Sequence, residues 1–74
     1  MKLVDMRNGA QVDVVHGMRV RSKRRGSMIG EVICVDPNRN SVYKIRVQWP
    51  DGNGVEWCRE GELRAAEWNE EVIP

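Results

Sequence analysis

Seventy-four residues, 41% hydrophobic and 31% charged, describe one small globular domain. A chain of this length buries only ~60% of the surface its unfolded form exposes, so its core is small. No apolar run approaches the ~18 residues of a membrane span, and no charged leader precedes an apolar stretch, so membrane and secreted classes are not expected. The net charge of +1 conceals an asymmetry. Residues 1–30 carry seven Lys or Arg against two Asp, and residues 31–74 carry five against nine acids. Such a division suits a basic binding face beside an acidic tail, or two halves that interleave and neutralise each other.

Turn signals are dense and helical periodicity is almost absent. Lys2–Met6 and Gln11–Val15 flank Arg7-Asn8-Gly9-Ala10, and Asn-Gly supplies the positive φ angles of a tight hairpin. Gly17–Lys23 alternates, with Met18, Val20 and Ser22 on one face and Arg19, Arg21 and Lys23 on the other. That pattern predicts a half-buried strand with a basic outer face. Arg24-Arg25-Gly26-Ser27 reads as a loop. Met28–Asp36 is the next strand, and Gly30 inside it signals a bulge, a bend or close approach of another group.

Asp36-Pro37-Asn38-Arg39-Asn40 turns the chain into Ser41–Trp49, a strand with Tyr43, Ile45, Val47 and Trp49 on its inner side. Val42, Lys44, Arg46 and Gln48 fall on its outer side. Pro50–Gly54 turns again, and Val55–Cys58 is expected to pair back. Arg59–Glu62 predicts one helical turn, Leu63–Ala66 a closing strand, and residues 67–74 an acidic tail. The expected core is Val20, Ile29, Val32, Cys34, Tyr43, Ile45, Val47, Val55 and Leu63.

The fold class is therefore all-β: a single small antiparallel barrel over residues 17–66, preceded by a hairpin extension at residues 1–16. Closure removes the exposed strand edges of a small sheet. An open meander that pairs its first hairpin with a neighbouring subunit is the alternative. Gly17-x-x-Val20, Gly26-x-x-x-Gly30-x-Val32, Ile45-x-Val47-x-Trp49-Pro50-Asp51-Gly52, then Val55 and Leu63 resemble the SH3-like small-barrel superfamily, which includes Tudor and KOW modules. The resemblance spans Gly17–Ala66 and implies a binding module. The opening strands also resemble the small trimethoprim-resistance dihydrofolate reductases. Those enzymes line their active pore with a Val-Gln-Ile-Tyr strand, where this chain has Val55-Glu56-Trp57-Cys58. Only the valine matches, so that activity is not expected.

Candidate chemistry is sparse. Cys34, Cys58 and His16 lie on three different elements, too few and too scattered for a zinc set, and neither a cofactor nor a metal is expected. Two cysteines without a disulfide framework suit a reducing, cytoplasmic setting. Glu56, Glu60 and Glu62 read as a solvated acidic face rather than an acid–base pair. The strongest candidate is the basic set Arg19, Arg21, Lys23, Arg24 and Arg25, joined by Lys44 and Arg46 across the sheet. Closely spaced cations neutralise phosphates, and KOW-type relatives use basic loops in this way on RNA. The expected function is thus non-catalytic binding of RNA or DNA through the phosphate backbone. The second expectation is a protein-binding or assembly component, such as a phage or mobile-element product, that uses Trp57, Trp68 or the first hairpin.

Overall fold

The computed structural model describes residues 1–66. Among these residues seven strands form one sheet: β1 Lys2–Asp5, β2 Gln11–Asp13, β3 Arg19–Ser22, β4 Gly30–Val35, β5 Ile45–Gln48, β6 Val55–Cys58 and β7 Leu63–Ala65. A single 3₁₀ turn, Glu60–Glu62, separates β6 from β7. The strand order is β2-β1-β7-β3-β4-β5-β6. The all-β class holds, but the sheet is mixed and open rather than a closed antiparallel barrel. The reason lies at β7. One edge of β7 takes β3 antiparallel, and the other takes β1 in parallel through Val4↔Arg64 and Asp5↔Ala65. The first hairpin thus occupies the edge that closure onto β6 would need, and it does so within the same chain.

The sheet curls around a core of Leu3, Met18, Val20, Val32, Ile45, Val47, Trp49, Cys58, Leu63 and Ala65. Leu3 brings the hairpin into this core, and Val12 and Val14 pack against it. Inside the hairpin, the Arg7 N–H donates to Asp5 Oδ1 at 2.8 Å and the Ala10 N–H to Asn8 Oδ1 at 2.9 Å. The connection, from Met6 to Ala10, is longer than a two-residue turn, and these side-chain bonds brace it. The Arg7 backbone bond, reinforced by its side chain, lowers the Asp5 carboxyl from its ordinary range.

Gly30 marks a close approach. A Cβ there would lie 2.6 Å from Trp49 Cε3 and 2.7 Å from Val47 Cγ1, so the indole rests directly on the β4 backbone. Any other residue would displace the ring, which is itself only 2% exposed.

Four expected core positions are corrected. Tyr43 and Val55 are exposed at 42% and 43%. Ile29 and Cys34 are half-buried. The β4–β5 register shifts between Val32 and Cys34, leaving Ile33 as an extra residue. A one-residue slip sends each later side chain to the opposite face. Cys34 therefore sits across from Arg46 on the outer face, and Val35 takes the inward place opposite Ile45. Val55 is opposite Gln48 on the outer face, which turns Glu56 and Cys58 inward across from Val47 and Ile45. Tyr43 precedes a strand that begins only at Ile45. Its N–H bonds to Ser41 Oγ at 3.0 Å, and the Asp36 N–H takes the Lys44 carbonyl at 2.9 Å, so residues 37–43 form a turn instead of more strand. Trp68 and the acidic tail lie outside the described residues.

Candidate functional site

The cations fall into two groups with different electrostatic surroundings. The first surrounds Glu56. Because the β5–β6 register points this carboxylate inward, it meets the edge of Trp49 and the loop that follows β3. Trp49 Nε1–H donates to Glu56 Oε1 at 2.9 Å, and Arg25 Nη2 donates to the same oxygen at 2.9 Å. Arg24 Nη2 donates to Oε2 at 2.7 Å, and Arg24 Nε lies 3.4 Å from Glu62 Oε2. Arg25 also places its guanidinium 5.3 Å from the Trp49 ring centroid. Beneath them the Arg24 N–H bonds to Ser22 Oγ at 3.2 Å, and Gly26 turns the loop with φ +59°.

The Arg24 hydrogen bond, and after it that of Arg25, holds the Glu56 carboxyl below the usual carboxylate range, against the opposing push of burial. Glu56 in turn raises the Arg24 guanidinium. Two guanidiniums and two carboxylates cancel here. Arg24 and Arg25 are structural ties between the loop, β6 and the 3₁₀ turn, where a loop free to meet phosphates was expected. Glu56 is correspondingly not part of a solvated acidic face, as the sequence suggested; a buried tryptophan N–H needs an acceptor nearby, and that was the signal for it.

The second group lies on the outer face of β5 and β6. Arg46 and Trp57 are direct cross-strand partners, so they share that face. Arg39 reaches over from the turn after β4 and places its guanidinium 4.0 Å from the Trp57 ring centroid; Arg46 lies 5.8 Å from it. Arg59 stands 5.9 Å from the ring centroid of the exposed Tyr43. Lys44 Nζ donates to the Arg39 carbonyl and pins the turn beside them. Among the described residues, none of Arg39, Lys44, Arg46 and Arg59 is in an ion pair. Four cations are thus interleaved with two aromatic rings. Arg39, Arg59 and Tyr43 were not singled out from the sequence, because Arg39 reads as turn, Arg59 as a polar helical turn and Tyr43 as core.

No family model, curated protein or solved structure matches the chain.

The remaining predicted site residues lie on β3. Val20 and Ser22 are buried, Arg19 is exposed and Arg21 half-buried, and Lys23 follows the strand as an exposed residue. Across β4 and β5 a row runs Arg19, Glu31, Gln48 and Val55 in direct register. Arg21 lies on one side of this row along the strands, and Arg46 with Trp57 on the other. The structure therefore separates Lys44 and Arg46 from the β3 cations with which they were grouped. Burial, with Glu56 and Glu62 adding to it, pushes the Cys58 thiol up to about 12, so it stays protonated at neutral pH and is no nucleophile there. Among the described residues, no three His, Cys, Asp or Glu side chains gather to hold a metal ion. No helix among them is long and apolar enough to cross a membrane.

Proposed function

We propose that the chain is a non-catalytic, cytoplasmic binding module for RNA or DNA, with its phosphate-binding surface on the outer face of β5 and β6. The observation that carries the reading is the stacking of Arg39 and Arg46 on Trp57, with no carboxylate paired to either among the described residues. Arg39 Nη1 donates to the Tyr43 carbonyl, which holds this guanidinium over the indole and leaves its remaining N–H groups, with those of Arg46, for phosphate oxygens; Arg59 and Lys44 extend the positive surface. An SH3-like fold for Gly17–Ala66 is part of the proposal. It is supported by the run β3-β4-β5-β6, then the 3₁₀ turn, then β7 returning antiparallel beside β3.

The test is fluorescence anisotropy with labelled single-stranded and duplex oligonucleotides over a range of salt. Phosphate contacts make log K fall with log[salt] by ~0.9 per contact on B-DNA and ~0.7 on single strands. Arg39→Ala with Arg46→Ala should weaken binding for all sequences and flatten the slope by about two contacts. Unchanged affinity in that double variant removes the reading. A second reading, a protein partner or another copy that adds a strand to the sheet, is favoured by the outer edge of β6, which pairs with no further strand among the described residues, beside the exposed Val55. Absence of nucleic-acid binding at low salt, with tight salt-insensitive capture of a protein, would establish that one instead.

A further inference from the structure

We infer that the outer face of β3 and β7 carries a separate anion site, in which Arg21 and Arg64 close on one phosphate group. Arg21 and Arg64 are direct partners in the antiparallel β3–β7 ladder. Their strand neighbours Val20, Ser22, Leu63 and Ala65 are all buried, so the two arginines share the outward face. Directly opposed side chains start ~4.5–5.5 Å apart at Cβ, where like charges repel.

Next door, Arg24 and Arg25 relieve the same repulsion with Glu56 and Glu62. Here no carboxylate is paired with either arginine among the described residues. Arg64 Nη1 turns to the neighbouring Leu63 carbonyl at 3.2 Å. The Nε of Arg21 is buried and has no hydrogen-bond partner. A buried donor of a charged group without an acceptor is costly, and a half-buried pair of opposed guanidiniums compounds the cost.

One tetrahedral oxyanion between the two side chains answers both problems. Its oxygens accept from the Nη groups of both guanidiniums, and from the Arg21 Nε once that side chain turns outward to meet them, and its charge screens the repulsion. A phosphate dianion or phosphodiester fits this better than a planar carboxylate, because its oxygens are set tetrahedrally and can turn toward two separate forks. Exposed Lys23, in the turn just past the end of β3, adds positive potential. Glu31 is paired in register with Arg19 rather than with Arg21, and Asp5, one register step from Arg64 on β1, is buried and paired with Arg7. This site is separate from the Trp57 surface and does not depend on that surface binding anything.

The test uses the full chain in low-salt, phosphate-free buffer with inorganic phosphate as the probe. Wild-type thermal unfolding should rise by ~4–8 °C once phosphate is several times its dissociation constant. Arg64→Met and Arg21→Met should lose that rise while unfolding, without phosphate, no lower than wild type, since each removes one of two repelling charges. General salting-out by phosphate acts on all three proteins alike, and the variants subtract it. An equal gain in wild type and Arg64→Met overturns the site. A readout free of any variant is the arginine Nε–H region of the NMR spectrum: phosphate should move the Arg21 and Arg64 signals saturably and ahead of the others, and stationary signals overturn the site. A thymidine oligonucleotide then distinguishes the source. Displacement of phosphate by it assigns the site to a nucleic-acid backbone, and phosphate binding that survives it assigns the site to a free phosphate.

Discussion

Arg24 and Arg25 share Glu56 and Glu62 at the rim of the core, whereas Arg21 and Arg64 face each other across β3 and β7 with no carboxylate between them. The four come from the same two stretches of chain, and residues 21–25 look like one basic run in the sequence. Strand register and one turn divide them. After Ser22 the backbone leaves the strand, which carries Arg24 and Arg25 around to the inward side of β6, where Glu56 waits. Arg21, still inside the strand, stays on the outer face. Positive charge that is dense in sequence is therefore not the same as positive charge open to a ligand.

The largest effect should come from breaking the neutralised group at its hub. Glu56→Gln leaves the Trp49 indole one weaker acceptor and strips two guanidiniums of their counter-charge. We expect a loss of about 1–3 kcal/mol in urea unfolding, the range for orphaning polar groups, tempered by the partial exposure of this cluster. A change below a few tenths would mean that the arginines rest on Glu56 without holding anything.

Acid should reproduce that loss gradually. The Glu56 carboxyl is held below its unfolded value, so its contribution is fully present above about pH 4.3 and disappears as pH falls through the folded value. Asp5 and Asp13, lowered by Arg7 and Lys2, act in the same direction. Stability curves of wild type and Glu56→Gln should therefore converge between about pH 4.3 and more acidic conditions. Parallel curves across that window would show that the Glu56 contribution is not ionic.

The smallest effect sharpens the comparison on the binding side. Arg24→Ala with Arg25→Ala should lower the unfolding midpoint, by less than Glu56→Gln, and leave the salt slope of oligonucleotide binding nearly unchanged. The sequence alone suggests the reverse: a flatter slope with stability untouched. Anisotropy and urea titrations on the same preparation decide between the two.

The strand count, the inward places of Val20, Val32, Ile45, Val47 and Leu63 and the outward place of Arg19 were all legible in the sequence, whereas the turn after β4 runs on to residue 43 and delays β5 to Ile45. Alternation by twos carried them, since each lies on an unbulged stretch of its own strand, Val32 being the last residue before the β4 bulge. What was illegible came from events that reset the alternation. The extra residue at Ile33 moves Cys34 outward, and nothing in Val32-Ile33-Cys34-Val35 announces it, because every side chain there tolerates either face. Val55 and Glu56 depend on how many residues the Pro50–Gly54 turn consumes. That number decided which of the two faced the core, and with it the fate of Arg24 and Arg25. Openness of the sheet was equally hidden, since the parallel contact of β1 with β7 joins residues some sixty positions apart and leaves no local signature.

The bulge at Ile33 leaves the two thiols in unlike settings. Cys58 is sealed in the core, while Cys34 opens onto the face shared with Arg46 and Trp57. A maleimide dye should therefore label one position of the native fold without any engineered cysteine. That position lies one strand away from Arg46 and two from Trp57. A fluorophore there would sense occupancy of the surface from its flank, and Trp57 would serve as its built-in quencher.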